Sequence, residues 1–203
     1  MVDLVPKQEA VFKILNDSKA YRYGHFVSEK GKHTSHHFQI PIAFHYYDNA
    51  RILAVGLSRK FRMNRKISSK LPKVSMISPS AGVIPVAFSI REALNAEQVY
   101  WAENENGRKK FPDYVSEREL YPCIIVDDIV RSGSTMKETF KMVKEAGLKI
   151  IGCGVILRFK GAPEEIDGIR IESLTEFDCR SYDTEEEWRA AEGNDSPLEE
   201  IRF

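Results

Sequence analysis

Residues 123–135, Cys-Ile-Ile-Val-Asp-Asp-Ile-Val-Arg-Ser-Gly-Ser-Thr, limit what this chain can fold into more than any other stretch. The unbroken apolar run of residues 123–126 fits a strand buried on both faces, as at the centre of a parallel sheet. Asp127 and Asp128 stand where that strand would end. A short polar loop follows, Arg131-Ser132-Gly133-Ser134-Thr135. Met136, Phe140, Met142 and Val143 then open an amphipathic helix that runs to Ala146 and stops at Gly147. Strand, loop and helix in this order put the loop at the carboxyl end of the strand, where open α/β sheets place their ligands.

The residue types in that loop suit a phosphate. Gly133 lets the backbone come close to an anion. Ser132, Ser134 and Thr135 offer hydroxyl donors and are candidate helix caps. The first free N–H groups of the helix, at the positive end of its dipole, favour negative charge. Two adjacent carboxylates beside a phosphate need partners of their own. Ribose hydroxyls and a hard divalent cation such as Mg²⁺ are the natural ones. The expected ligand is a phosphorylated sugar, its phosphate in the loop and its hydroxyls near Asp127 and Asp128.

A second loop of the same kind lies upstream. Residues 74–77 read as a buried strand, followed by Pro79-Ser80-Ala81-Gly82 and a helix through Leu94. The turn at Ser80, Ala81 and Gly82 offers backbone N–H groups to a second anion. Residues 99–102 read as a strand. Residues 103–113 read as a polar loop with a turn at Asn106-Gly107 and three cations, Arg108, Lys109 and Lys110. An apolar strand at residues 150–159 carries Arg158 near its end, and residues 169–174 read as a last short strand.

At 203 residues, the chain is one domain by size. Lysine and arginine total 30, balancing 30 acidic residues, so net charge points to no particular partner. A basic stretch from Arg59 to Lys73 reads as a solvated helix face and not as a nucleic-acid surface, because it lacks interleaved aromatics. The three isolated cysteines, Cys123, Cys153 and Cys179, suit reduced residues of a cytoplasmic protein, with no disulfide framework. No apolar run approaches membrane-spanning length, and the N-terminus lacks a signal pattern. Near the start, residues 7–20 form an amphipathic helix. Residues 21–40 then read as two short strands around a turn at Lys30-Gly31-Lys32, flanked by Phe26 and Phe38. Residues 47–69 are mostly helical. Residues 180–203 are acidic and read as a short helix around Trp188 plus a poorly ordered tail.

The stretch at 123–135 resembles the phosphoribosyl pyrophosphate loop of the type I phosphoribosyltransferases. Its order is apolar pair, acidic pair, apolar pair, then small hydroxyl residues and glycine. The segment with Gly24, Phe26, Lys30-Gly31-Lys32 and His36-His37-Phe38 resembles the N-terminal hood of the orotate phosphoribosyltransferases. Matching motifs follow in order over roughly residues 20–175.

The resemblance implies a mostly parallel α/β sheet flanked by helices. It implies a hood at about 20–45, a core at about 46–175 and the acidic tail at about 180–203. The implied reaction moves 5-phosphoribosyl from phosphoribosyl pyrophosphate to a nucleobase, most simply orotate, and releases pyrophosphate. Asp127 and Asp128 would hold the ribose hydroxyls, with Mg²⁺ bound indirectly through substrate and water. Arg131, Ser132, Gly133, Ser134 and Thr135 would hold the 5-phosphate. Ser80, Ala81 and Gly82, with Arg108, Lys109 and Lys110 of a mobile catalytic loop, would hold the pyrophosphate. Lys30, Phe38 and Arg158 would frame the base, Arg158 meeting its carboxylate. A homodimer is implied, since that family shares its catalytic loop between subunits. Arg131, Glu29 and Val83 depart from the orotate-type pattern. A transferase for a purine or uracil, or a non-catalytic nucleotide sensor on the same fold, therefore stays open.

Overall fold

The apolar run of residues 123–126 lies at the middle of a six-stranded sheet. The structure is a computed structural model that describes residues 5–28, 31–112, 115, 121–193 and 197–200. Its first half contains helix α1 (Gln8–Asp17), strands β1 (Tyr21–Val27) and β2 (His33–Phe38), helices α2 (Tyr47–Met63) and α3 (Arg65–Ser68), strand β3 (Ser75–Ser78) and helix α4 (Ile84–Leu94). Strand β4 (Gln98–Trp101) and the short strands β5 (Glu103–Glu105) and β6 (Arg108–Lys110) follow. The second half holds β7 (Cys123–Val130), α5 (Ser134–Glu145), β8 (Ile150–Phe159), β9 (Glu165–Ile166), β10 (Ile169–Phe177), α6 (Glu185–Glu192) and β11 (Leu198–Glu200).

The large sheet has the order β4-β3-β7-β8-β10-β9. Its pairings are parallel except β9 with β10. Side chains along β7 alternate between two apolar layers, as strand geometry requires. Ile124 and Val126 join Leu53, Leu57, Phe61, Val86 and Ile90 of α2 and α4. Cys123 and Ile125 join Met136, Phe140 and Val143 of α5. Gly154 of β8 allows α2 to lie close, because a methyl there would sit 2.7 Å from Cζ of Phe61. The chain leaves β3 outward to β4 and returns to the other side of β3 as β7. The loops after β3 and β7 therefore meet at the point where strand order reverses, which is where such sheets open a crevice.

Several boundaries differ from the sequence reading. Strand β7 continues to Val130, so Asp127 and Asp128 lie within it and not past its end. Parallel pairing with β8 holds them there: Asp127 is in register with Val155 and Val130 with Arg158. Helix α5 begins at Ser134, two residues before Met136. The long helix expected over 47–69 breaks at Asn64, whose side chain accepts the N–H of Lys66 at 3.0 Å and starts α3. The polar loop over 103–113 contains the hairpin β5–β6, turned at Asn106-Gly107 with φ of 51° and 77°.

The largest correction concerns the acidic C-terminal segment. It contains the expected helix around Trp188, but residues 198–200 form β11, which adds to β1 in parallel. The hood is thus a three-stranded sheet, β11-β1-β2, with α6 packed against it. Trp188 is fully buried and stacks on His25, the ring centroids 3.6 Å apart and the planes 4° from parallel. Its Nε1–H donates to Ser35 Oγ at 2.9 Å. Thr184 caps α6 by accepting the N–H of Glu187 at 3.1 Å. Arg22 of β1 bonds Glu199 of β11 at 2.5 Å. Burial pushes the thiols of Cys123 and Cys153 up to about 12, so both are inert apolar fillers. Among the described residues no helix is long and apolar enough to cross a membrane.

Trp188→Ala is expected to cost about 3–5 kcal/mol, the usual loss when a buried tryptophan becomes a cavity. Denaturant melts of the two proteins measure it. A loss under about 1 kcal/mol would show that α6 does not hold the hood.

Candidate active site

Strand β7 carries Asp127, which is buried, and Asp128, which is half-buried. The Asp128 N–H donates to Asp127 Oδ1 at 2.9 Å. Burial raises the Asp127 pKa well above the usual carboxylate range, and the neighbouring Asp128 charge adds to it. The Lys109 charge opposes that rise. Burial also raises Asp128, against hydrogen bonds from Asp127 and nearby backbone and against the charge of Arg131. The pair is thus held under-compensated, ready for hydroxyls or a cation.

Past β7, Gly133 takes φ of 76° and stands at the N-cap position of α5. A methyl on Gly133 would lie 2.6 Å from Pro163 Cγ, so both backbone and packing require glycine. No side chain caps α5, in contrast to the expected capping hydroxyl. Ser132 and Ser134 join their hydroxyls at 3.0 Å instead. The Ser134 N–H donates to Ser132 Oγ at 3.4 Å, and the N–H groups that follow it in the first turn are of the kind that suits an anion. A cavity of about 420 Å³ gathers Asp127, Arg131, Ser132, Gly133, Ser134 and Thr135 with Phe38 of the hood. The structure brings these seven expected residues to one place.

The loop after β3 lies one strand over. Ser78 Oγ donates to the Ser80 carbonyl at 2.7 Å, fixing the turn. Ala81 and Gly82 are exposed, with open room above Gly82. Val83 is buried and does not intrude. Lys109 Nζ donates to the Pro79 carbonyl at 2.5 Å, so the hairpin reaches the second anion loop of its own chain. Lys110 pairs with Glu105 at 2.9 Å, and Arg108 shares with Lys109 a groove against α5 that Glu138 and Lys141 also line.

Arg158 also departs from its expected place. Its guanidinium bonds Glu176 and pairs with Glu164 at 3.5 Å, and these acids raise its pKa. It lines neither of the two cavities beside the loop. Strand pairing puts Glu176 directly opposite it, which spacing along the sequence does not reveal. Lys30 and Glu29 lie outside the described residues. Sequence reasoning missed a second cavity of about 280 Å³, which shares Arg131 and adds Thr34, Lys32, Phe159, Lys160 and Cys179. Phe159 and Lys160 directly follow Arg158, and that adjacency was the available signal.

Asp127 and Asp128 give oxygen donors of the kind Mg²⁺ prefers. Among the described residues no group of three or more His, Cys, Asp or Glu side chains gathers to enclose a metal. The donor set therefore fits an ion held partly by substrate and water.

Fold and site together place a crevice at the switch point of an open α/β sheet, roofed by a small β hood. Residues 47–186 match the phosphoribosyl transferase domain model, and the chain belongs to that family. Among curated relatives, an orotate phosphoribosyltransferase of Thermotoga petrophila is 27% identical over 174 residues, covering 86% of this chain and 88% of its own. One from Caldanaerobacter subterraneus is 28% identical over 186 residues, covering 89% and 90%. The crystal structure of orotate phosphoribosyltransferase from Aeropyrum pernix shares the fold with a TM-score of 0.64 at 15% identity, covering 81% and 92%.

Two substitutions test this geometry. A carboxyl whose folded pKa is raised favours folding below its unfolded pKa and loses that advantage as pH climbs to the folded value. Asp127→Asn, which keeps the Oδ1 acceptor, is expected to stabilise the free protein by on the order of 1 kcal/mol at pH 7, with little gain near pH 4. Melts at the two pH values measure this; equal gains at both would show that the carboxyl is not the cause. Gly133→Ala is expected to cost about 1–2 kcal/mol for the left-handed backbone alone, and calorimetry should show phosphate affinity falling with it.

Proposed function

We propose that this chain transfers 5-phosphoribosyl from phosphoribosyl pyrophosphate to orotate, giving orotidine monophosphate and pyrophosphate. The observation that carries the reading is the single cavity joining Asp127, the loop Arg131–Thr135 and Phe38 of the hood. The names of the curated relatives support it.

In the reaction the C1–oxygen bond to pyrophosphate breaks, a C1–nitrogen bond to the base forms, and the base nitrogen gives up its proton. The ribosyl centre is cationic in between, so positioning and charge supply the catalysis and no protein nucleophile is required. Backbone N–H groups and hydroxyls of Ser132, Ser134 and Thr135 hold the 5-phosphate. Asp127 and Asp128 accept the ribose hydroxyls and keep negative charge near the ribosyl cation. Ser80, Ala81 and Gly82 offer N–H groups to the pyrophosphate, and Lys109 is the cation placed beside them. Mg²⁺, when bound, supplies positive charge to the departing pyrophosphate.

A cytoplasmic homodimer belongs to the same reading. The free cysteines suit a reducing compartment. Tyr47, Ile52 and Phe88 stand exposed on α2 and α4, apolar surface that a second copy would cover.

Pyrophosphate release from phosphoribosyl pyrophosphate and Mg²⁺ across orotate, uracil and adenine tests the proposal. Orotate is expected to turn over, and Lys109→Ala to lower kcat roughly 100-fold, as for loss of one stabilising donor. Turnover with adenine alone would replace orotate as the acceptor. Tight binding of phosphoribosyl pyrophosphate without any turnover would make the protein a sensor.

A further inference from the structure

The smaller cavity opens beside the phosphate loop and shares Arg131 with it. Its wall carries three cations, Arg131, Lys32 and Lys160, and no acidic residue among those described. Such a wall favours an anionic occupant. The two lysines already have partners at the rim: Lys32 pairs with Asp183, and Lys160 with Asp178 at 3.3 Å. Arg131 makes no such pair among the described residues. The residue is exposed overall, yet its guanidinium lies over the Phe159 ring, 4.5 Å from the centroid. Burial lowers the Arg131 pKa, and Cys179 and Asp128 oppose that, Asp128 without pairing with it. Phe159 is itself wedged edge-on against Phe38 at 5.7 Å and Phe177 at 6.3 Å, so the platform under Arg131 is fixed.

A guanidinium resting on an aromatic face keeps its in-plane N–H donors free. Those donors match a carboxylate in a two-pronged hydrogen bond. The cation that the resemblance assigns to this task, Arg158, is instead committed to Glu176 and Glu164.

We propose that Arg131, seated on Phe159, binds a carboxylate on the acceptor ring and is the residue that selects a carboxylated base over a neutral one. The inference rests on the transferase reading. It gives Arg131 a task at the acceptor, distinct from the 5-phosphate bound by the rest of its loop.

The test compares the wild-type protein with Arg131→Gln, Arg131→Lys and Arg158→Gln, each first checked for an unchanged melting transition. Orotate and uracil are the acceptors, since they share a ring and differ in the carboxylate. Arg131→Gln is expected to raise the orotate KM roughly 10- to 100-fold, the usual scale for a lost charged hydrogen bond, with a much smaller change in the phosphoribosyl pyrophosphate KM. Arg131→Lys should recover only part, lacking the fork. Any preference for orotate over uracil should shrink in parallel. An orotate KM unmoved in Arg131→Gln, or moved no more than that of phosphoribosyl pyrophosphate, overturns the inference. So does an orotate KM that responds to Arg158→Gln instead. If the wild-type protein turns over no base, the transferase reading fails separately. Calorimetric titration with orotate then decides: binding lost in Arg131→Gln upholds the carboxylate site, and no orotate binding to wild type removes it.

Discussion

Two carboxylates inside a buried parallel strand impose the terms that the surrounding structure meets. Asp127 and Asp128 cannot leave the sheet, because β7 stays paired with β8 on both sides of them. Their mutual repulsion and lost hydration are local costs that apolar packing cannot relieve. Part of the relief comes from positive charge: Lys109 of the hairpin acts on Asp127, and Arg131, just past the end of β7, acts on Asp128. In the proposed reaction a sugar phosphate would complete the same set, offering hydroxyls to the acids and its phosphate to the helix.

The hood is tied to this centre through aromatic side chains. Phe38 of β2 packs on Tyr21, Phe159 and Phe177 with ring centroids 4.9–5.7 Å apart, and it also lines the phosphate cavity. Phe159 links the same cluster to Arg131. One group of rings therefore joins roof, sheet edge and loop, so the cavities beside Arg131 inherit their shape from the core and not from a loop alone.

The fold was legible wherever burial leaves a one-dimensional trace. The run at 123–126, the strand at residues 150–159 and the helical spacing at Met136, Phe140 and Val143 each reported which faces are covered. The turn at residues 131–135 was legible because Gly133 and its hydroxyl neighbours are constrained locally. What escaped depends on partners far along the chain. Arg158 finds Glu176 only through strand register. The fates of Lys109 and Lys110 separate only when the hairpin turns one inward and the other onto Glu105. Residues 198–200 read as an acidic tail because Leu198 is the single apolar residue there, while their pairing is through backbone, which composition does not record.

That late strand also bears on how the protein comes into being. Arg22 and Glu199, bonded across β1 and β11, are 177 positions apart in the chain. Synthesis runs from the N-terminus, so β1 and β2 leave the ribosome long before β11. The loops at 79–82 and 131–135 also precede β11 in the chain, while Phe38 of β2 reaches the cavity from the hood. Closing the hood sheet therefore waits on residues made long after both β-strands it joins.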